Sequence, residues 1–214
     1  MLLYQLVIFF RNNYIVGSNV NLIGADLSGV DLSGINISGA DLSGCILTRV
    51  FGQLANVTGA KLPVGYEFRN NYIVGSNVNL VGADLSGVSL AGLNISGSDL
   101  SGAVLTNLSG QLANVTGSIL APSYQFKNNY IVGPNVNLSG ADLSGYSLAE
   151  LNISGADLSG ADLTNIFGKL SNVDGAKLSP SYKFRNNYIV GPNVNLTGAD
   201  LSGVDLSGIN MSGT

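Results

Sequence analysis

The sequence predicts an all-β repeat protein whose chain turns a corner every five residues. Large apolar residues recur at a spacing of five over most of the 214 residues. This spacing matches neither the 3.6-residue period of a helix nor the two-residue alternation of a flat strand. In addition, Gly, Asn, Asp and Ser, which form helices poorly, occur throughout the chain. These two observations favour a coiled β-solenoid over a helical fold.

A longer, 58-residue repeat encloses this short period. Phe10, Phe68, Phe126 and Phe184 recur with this spacing, each within the pattern F-[RK]-N-N-Y-I-V-G-[SP]-N-V-N-L. Such internal repetition is typical of solenoids. We therefore predict one continuous solenoid over residues 1–214, with repeats of approximately 10–67, 68–125, 126–183 and an incomplete 184–214.

Each five-residue segment, or pentad, assigns a role to each position. The central Leu and the small residue two positions before it are expected to point inward, as Leu27 and Ala25 do in the pentad Ala25 to Gly29. The Asp or Asn before the Leu and the Ser or Thr after it are expected to point outward. Glycine follows at the corner, where it adopts positive φ at little cost. The inward Leu residues would form a thin but sufficient core.

The pentads resemble the pentapeptide-repeat family, whose consensus is A-[DN]-L-x-x. The resemblance covers most of the chain, and the many tandem pentads make it specific. It implies a right-handed quadrilateral β-helix with four pentads per coil. Coils of this kind would stack at the strand spacing of about 4.8 Å.

The pattern breaks twice in each repeat. At Gly52, Gly110 and Gly168 the central apolar residue is missing, and we expect the neighbouring apolar residues, such as Val50 and Leu54, to fill the core instead. The alternative is a functional role, in which the missing side chain allows the backbone of a bound ligand to approach these glycines.

The second break is an 18-residue step, as from Leu62 to Leu80, that contains the Asn-Asn pair. Asn tolerates left-handed turns, so this step predicts one β-hairpin-like interruption in each 58-residue repeat. The alternative is a third coil, since a 58-residue repeat is nearly three coils of four pentads each.

Composition excludes several kinds of function. The chain has no histidine and one cysteine, so histidine-dependent catalysis, histidine metal sites and disulfides within the chain are excluded. A net charge of −4 does not suit a nucleic-acid binder that works through a basic patch. No phosphate-binding loop or calcium-binding nonapeptide stands out. We expect no catalytic residue, no metal, no cofactor and no direct binding of nucleic acid.

Acidic residues are the most conspicuous polar feature. Many Asp residues precede a central Leu, and stacking of the coils would make some of them neighbours in ladders. A solvated outer face that prevents sideways sticking is one interpretation. The other is DNA mimicry, because the resemblance includes gyrase-protecting proteins. We keep this as the alternative function, although the net charge is small for a mimic.

Residues beside the Asn-Asn pair form a second recurring set. They are expected either to solvate the turn or to contact a neighbouring molecule laterally. These candidate lateral contacts are Arg11, Arg69, Lys127, Arg185, Tyr14, Tyr72, Tyr130 and Tyr188. Cys45 occupies the inward position that small residues take in other pentads, and we expect it to be buried as part of the core.

The chain ends provide the candidate assembly contacts. The apolar N-terminal segment lacks the basic region and cleavage site of a secretory signal, and it is too short to span a membrane. We expect it to be buried on the first coil or against another molecule. Neither end shows a capping-helix pattern, and uncapped solenoid ends favour head-to-tail stacking. The candidate residues are Leu6, Val7, Ile8, Phe9, Phe10, Ile209 and Met211.

The leading hypothesis is therefore a non-enzymatic structural protein that assembles end to end with itself into a filament or surface layer. A fragment of a longer repeat protein is a further alternative. The sequence does not define a compartment. An extracellular or cell-surface location is compatible with a fragment or an assembled fibre.

Overall fold

A computed structural model describes residues 9–214 of the chain. Within this range, all regular secondary structure is β-strand, in twelve short strands. They are β1 (Phe9–Arg11), β2 (Tyr14–Val16), β3 (Glu67–Arg69), β4 (Tyr72–Val74), β5 (Asp99–Leu100), β6 (Ile119–Leu120), β7 (Gln125–Lys127), β8 (Tyr130–Val132), β9 (Asp157–Leu158), β10 (Lys177–Leu178), β11 (Lys183–Arg185) and β12 (Tyr188–Val190). The predicted all-β class is confirmed.

Pentads end in a β-turn whose third residue has a positive φ, and this residue is glycine at most corners. At the first corner, the N–H of Ala25 donates to the carbonyl of Leu22 at 2.8 Å, and Gly24 has a φ of +72°. A turn with positive φ at its third residue is of type II, which favours glycine there. The same bond recurs from pentad to pentad, as from Val30 to Leu27 and from Ala40 to Ile37. The five-residue period therefore arises from one turn type repeated.

Successive coils pair in parallel with a 20-residue offset. The bridges Asn21 to Asp41, Asp26 to Ile46, Asp31 to Phe51 and Asn36 to Asn56 advance by five along both segments. A coil therefore has four sides, one pentad to each side. We number the sides within one repeat from the first pentad after its hairpin, so Asn21 lies on the first side and Asn36 on the fourth.

The core is the stack of inward residues. Leu27, Leu32, Ile37 and Leu42 are buried, as are small residues such as Ala25. Burial of a Leu or Ile side chain contributes about 1.5–3 kcal/mol. Inward apolar side chains therefore hold each coil on the next.

At the first break, glycine allows the chain to approach the coil below. A Cβ on Gly52 would lie 2.5 Å from the backbone nitrogen of Ser33. Val50 and Leu54 on either side are buried, which confirms that they fill the core in place of the missing central residue. The close neighbour of this glycine belongs to the chain itself.

At the second break, each 58-residue repeat contains an antiparallel β-hairpin. Arg69 of β3 faces Tyr72 of β4 across a two-residue turn. The turn residues Asn70 and Asn71 have φ angles of 45° and 63°. Two consecutive positive φ values define a type I′ turn, which suits the twist of paired strands. The other hairpins are β1–β2, β7–β8 and β11–β12.

The described chain forms two compact units. The first comprises residues up to Leu85 together with Leu93–Val104 and Ala113–Ala121, and it contains the parallel pair β5–β6. The second comprises Ser86–Gly92, Leu105–Leu112 and Pro122–Thr214, and it contains the parallel pair β9–β10. Each unit contains hairpins and 20-residue coil pairing.

Candidate assembly surfaces

The outward Asp and Asn side chains bond to their own backbone. The N–H of Ser28 donates to Oδ1 of Asp26 at 2.9 Å, and the N–H of Ser38 donates to Oδ1 of Asn36 at 2.9 Å. Asp and Asn are favoured in turns because they make this bond two residues ahead. Hydrogen bonds that favour the charged form lower a carboxyl pKa. The serine two residues ahead lowers the pKa in this way for Asp26, Asp31, Asp41, Asp142, Asp157, Asp200 and Asp205.

Stacked coils place few carboxylates beside each other. Among the isolated bridges of the described chain, one joins two aspartates, Asp142 and Asp162. Asp41 instead lies beside Lys61, whose Nζ is 3.1 Å from its Oδ2. Bonds from Ser43 and then from this lysine lower the pKa of Asp41 to about 2. Outward Asp residues otherwise stack on Asn, Lys or apolar residues, so the acidic rows are interrupted.

Two of the arginines beside an Asn-Asn pair, Arg11 and Arg185, bond their hairpin to a coil. Nε of Arg11 donates to the carbonyl of Asp31 at 3.0 Å, and Nε of Arg185 donates to the carbonyl of Asp205 at 2.9 Å. In the second hairpin, Arg69 forms an ion pair with Glu67. Lys127 at the equivalent position is half-buried. The three arginines thus have contacts within the chain, and their predicted lateral role stays a prediction.

The tyrosines differ in exposure between the first hairpin and the others. Tyr14 is exposed, whereas Tyr72, Tyr130 and Tyr188 are half-buried. Tyr72 lines an open groove of about 700 Å³ with Phe51, Gly52 and Gln53. This groove lies where the hairpin meets the coil before it, and its lining residues are uncharged.

The outer face of the first hairpin is apolar and exposed. Phe10 is 71% exposed and Ile15 is 42% exposed. The residues equivalent to Ile15 are buried: the exposed fractions of Ile73, Ile131 and Ile189 are 5%, 2% and 4%. We expected the N-terminal segment to be buried on the first coil or against another molecule. Phe10 is exposed in the described chain, so burial against another molecule stays a prediction for it. Leu6, Val7 and Ile8 lie outside the described residues.

Backbone pairing accounts for the burial of the later hairpins. The N–H of Leu54 donates to the carbonyl of Asn71 at 2.9 Å, and Leu112 and Leu170 bond to Asn129 and Asn187 in the same way. The coil before each of these hairpins therefore covers its apolar face. Within residues 9–214, no such bond reaches Asn13 of the first hairpin.

The coil formed by residues 192–214 has an open face. Its inward residues Leu196, Leu201, Leu206 and Met211 are half-exposed, as is Ile209. The equivalent residues one repeat earlier, Leu138, Leu143, Leu148 and Ile153, are buried. Their N–H groups bond to the next coil, for example Leu138 to Asp157 at 2.7 Å. In the described chain, the N–H groups of Leu196, Leu201 and Leu206 have no such partner.

Cys45 is buried, as the sequence predicted. Its Sγ lies 3.0 Å from the carbonyl oxygen of Leu22, to which it donates. Burial raises the pKa of the thiol. A buried thiol with a raised pKa is a poor nucleophile, so Cys45 serves packing.

Reactive side chains are not gathered in the part of the chain that the structure describes. It contains no cluster of three Cys, Asp or Glu residues placed to hold a metal ion. No helix in it is long and apolar enough for a membrane span.

One recurrent feature was missed in the sequence: the fourth pentad of each coil carries Asn at its outward position. Within a repeat these asparagines stack in a pair, as Asn36 does on Asn56, whereas the other pentads carry Asp, Asn, Lys, Ser or an apolar residue at this position. The regular recurrence of these asparagines, from Asn36 to Asn56 and then to Asn94, carried the signal. The 20-residue pairing was needed to show that they stack in pairs within a repeat. The next repeat does not continue the pair on the same side, because the N–H of Asn79 donates to the carbonyl of Val50 and so places its first pentad on the third side of the coil before it.

Known proteins were compared at the level of sequence and of structure. The pattern of the family described as pentapeptide repeats matches in eight copies, over residues 18–51, 76–107, 135–165 and 192–214. A comparison with curated protein sequences gives no match.

Two solved structures illustrate the similarity. One is a trypsin-treated variant of QnrB1, a plasmid-mediated fluoroquinolone resistance protein, with 23% identity, 76% of this chain and 81% of that chain covered, and a TM-score of 0.23. The other is HetL, a pentapeptide repeat protein involved in heterocyst differentiation regulation from the cyanobacterium Nostoc sp. strain PCC 7120. It has 19% identity, 75% and 86% coverage, and a TM-score of 0.25.

These TM-scores are low, and the assignment rests on the repeated sequence pattern, which covers more than half of the chain. The corner turns, the inward Leu residues and the 20-residue coils agree with that pattern. The chain belongs to the pentapeptide-repeat family.

Proposed function

We propose that this chain is a non-enzymatic structural protein that assembles with copies of itself, end to end, into a filament or surface layer. The observation that carries this proposal is the difference in exposure between equivalent residues of successive repeats. Ile15 is 42% exposed, but Ile73 is 5% exposed in the same hairpin one repeat later.

The first hairpin supplies one contact surface. The three later hairpins have nearly the same sequence, and the coil before each of them covers its apolar face. A coil of pentads is therefore the kind of surface that fits the first hairpin. Phe10, Tyr14 and Ile15 form the apolar part of its exposed face. Burial of a Phe or Ile side chain contributes about 1.5–3 kcal/mol, so covering this face with a second copy is favourable.

The coil of residues 192–214 supplies the other contact surface. Its half-exposed Leu206, Ile209 and Met211 lie beside backbone N–H groups to which a further coil would offer carbonyl acceptors. Open strand edges readily pair with another chain. A contact between two different surfaces propagates from copy to copy unless it closes into a ring.

The polar side chains support a structural role over an enzymatic one. Oδ1 of each of Asp26, Asp31 and Asp41 accepts the backbone N–H two residues ahead, so these carboxylates have a role in the turn. The hairpins contain recurrent arginines, but Arg11 and Arg185 donate hydrogen bonds to carbonyl groups within the chain. Catalysis depends on unlike groups that converge on one point, and the described residues offer repeated rows of the same group.

A paired substitution tests the assembly. We expect the purified chain to form filaments in negative-stain electron microscopy. The variant with Phe10→Lys and Ile15→Lys should lose them, because it places two charges in the contact. The control is Ile23→Lys with Val81→Lys, which makes the same charge change at exposed positions on coil sides. Filaments in both variants, or short single-chain particles from the unaltered protein, would refute the proposal.

A further inference from the structure

The open groove beside Tyr72 has the size of a ligand site. Its volume is about 700 Å³, and small-molecule sites span about 300–1,000 Å³. Phe51 and Gln53 of the second coil line it, together with Asn79 of the coil after the second hairpin. All the described residues that line the groove belong to the first compact unit, and none belongs to the first hairpin or to residues 192–214.

The groove forms where regular pairing between two coils stops. The N–H of Asn79 donates to the carbonyl of Val50 at 3.0 Å, as in regular stacking. The next bond of that pattern would join the N–H of Gly52 to the carbonyl of Asn79, but neither group has a hydrogen-bond partner in the described chain. The N–H of Leu54 donates to Asn71 in the hairpin turn instead. Insertion of the hairpin therefore leaves backbone polar groups unpaired beside the groove.

The polar side chains of the groove are neutral and retain hydrogen-bonding capacity. Nε2 of Gln53 donates to the carbonyl of Asn70 at 3.0 Å, which leaves Oε1 of Gln53 as an acceptor. Oδ1 of Asn79 accepts the N–H of Val81 at 3.0 Å, which leaves its Nδ2 as a donor. The hydroxyl of Tyr72 has no hydrogen-bond partner among residues 9–214. Because these bonds hold both amides in place before a ligand arrives, the entropic cost of binding is reduced.

Phe51 adds an exposed aromatic ring to this neutral polar set. The residue takes the outward position of its pentad, beside Asp31 of the coil below, and it is 39% exposed. An aromatic ring has a large apolar face. A sugar ring has an apolar C–H face and hydroxyl groups at its edge. Phe51 and the neighbouring amides therefore match the two parts of a sugar.

The absence of charge also directs the choice of ligand. The lining residues in the described chain are all uncharged, so a phosphate or carboxylate ligand would find no cation there to form a charge-assisted bond. Asp31 is not among the lining residues, and its Oδ1 accepts the N–H of Ser33 at 2.9 Å. A neutral ligand is the one that this groove fits.

An extended peptide fits the groove less well than a sugar does. A peptide that adds a strand binds along a run of free N–H and carbonyl groups at a sheet edge. The N–H groups of Leu54, Asn79 and Leu80 are already bonded within the chain. The described residues therefore offer separate polar groups, and not the continuous edge that a peptide strand needs.

We propose that this groove binds a neutral oligosaccharide. One sugar ring packs on Phe51, and hydroxyl groups of the ligand bond to the amides of Gln53 and Asn79 and to the hydroxyl of Tyr72. Because a sugar hydroxyl both donates and accepts, it suits a site that presents donors and acceptors together. The site lies apart from the end surfaces, so its occupation does not depend on end-to-end assembly.

The first test removes the aromatic ring. Phe51→Ser introduces the residue that the second repeat carries at the equivalent position, Ser109, so the coil accommodates it. The matched control is Phe167→Ser at the equivalent position of the third repeat. Phe167 is 44% exposed, but Lys169 replaces Gln53 there and brings a charge. The two variants thus make the same change with and without the neutral amide.

Tyr72→Phe is a second variant that removes one hydroxyl and keeps the ring. Since this hydroxyl has no partner in the described chain, the midpoint of urea unfolding should stay at that of the unaltered protein. A weaker affinity for the sugar in a variant of unchanged stability then reports a lost contact with the ligand.

Titration calorimetry with four neutral hexasaccharides measures the binding. They are cellohexaose, laminarihexaose, maltohexaose and N-acetylated chitohexaose, and hexagalacturonate serves as the charged comparison. We expect at least one neutral sugar to bind, Phe51→Ser to raise its Kd about tenfold or more, and Tyr72→Phe to raise it by about threefold or more. Phe167→Ser should leave the Kd unchanged.

Several outcomes would overturn the proposal. They are no binding of any neutral hexasaccharide, tighter binding of hexagalacturonate, and an equal loss of affinity in Phe51→Ser and Phe167→Ser. Tighter binding of an uncharged hexapeptide of alternating Ser and Val would assign the groove to peptides instead.

The variant with Phe10→Lys and Ile15→Lys separates this proposal from end-to-end assembly. Neither residue lines the groove, so this variant should bind the sugar as the unaltered chain does, even without filaments. Sugar binding by a chain that never forms filaments leaves the groove proposal standing while the end-contact proposal falls. Filaments without any sugar binding give the opposite result.

Discussion

Replacement of Gly110 by Ala tests whether glycine at the first break is required by contact with the coil below. Gly110 has a φ of +97° and lies where a Cβ would be 2.5 Å from the backbone nitrogen of Ala91 and 2.9 Å from its Cα. Backbone atoms cannot rotate away as a side chain can. The matched control is Gly92→Ala, at a corner with a φ of +73° and no heavy atom within 4 Å of the added Cβ.

The two substitutions share one cost and differ in the other. A left-handed backbone costs an L-residue about 1–2 kcal/mol, and this applies to both positions. Ala also reduces the freedom of the unfolded chain, which stabilises both variants by under about 1 kcal/mol. Steric overlap at Gly110 adds about 1–3 kcal/mol, the usual cost of overpacking. We therefore expect Gly110→Ala to be less stable than Gly92→Ala by about 1–3 kcal/mol.

Urea unfolding followed by far-UV circular dichroism measures this difference. The midpoints should separate while the denaturant slope stays equal, because both variants expose the same surface on unfolding. Gly168→Ala should behave as Gly110→Ala does, since its Cβ would lie 2.6 Å from the backbone nitrogen of Ala149. Equal midpoints for Gly110→Ala and Gly92→Ala would refute the argument that contact between coils selects this glycine.

Three further predictions concern single residues. The lowered pKa of Asp41, about 2, means that its contribution to stability is full above the unfolded value near 3.8 and is lost as pH falls toward 2. The melting temperature should thus fall over this range, and less so for Asp41→Asn, because Asn makes the same turn bond without a charge. Asn71→Ala should destabilise the chain by about 1–2 kcal/mol in urea unfolding and Asn71→Gly should not, because only Gly adopts a φ of 63° freely. Cys45 should react with a thiol reagent in urea but not in the native protein; rapid native labelling would contradict its burial.

Much of the coil could be predicted from sequence because its rules are local. The position of Leu27 within its pentad determines that its side chain is inward, and Gly29 three positions after Asp26 marks the corner. The type I′ turn follows from two adjacent asparagines flanked by β-prone residues. Each inference needs only a few neighbouring residues.

Contacts between coils could not be predicted in the same way. Asp41 lies beside Lys61 because a coil has 20 residues, and this number was implied by the family resemblance and not by the five-residue period itself. The same is true of Gly52, whose role comes from the backbone of Ser33 in the coil below. The exposure of Phe10 and Ile15 likewise depends on which segment lies against the hairpin, and not on the hairpin itself.

The contrast between equivalent hairpins also gives the assembly proposal its physical basis. Ile73, Ile131 and Ile189 are buried by a coil, and Ile15 in the same local sequence is not. The hairpin sequence is nearly unchanged, so the difference lies in the neighbour. The proposed end-to-end contact would cover in the first hairpin the surface that a coil covers in the other three.

Sedimentation velocity of the unaltered chain over a wide range of concentrations tests this central claim most directly. Assembly through the end surfaces obeys mass action, so the account predicts that the mean sedimentation coefficient rises steadily with concentration. The variant with Phe10→Lys and Ile15→Lys should show no comparable rise. A single species with the mass of one chain, 22.0 kDa, at every concentration would contradict the account.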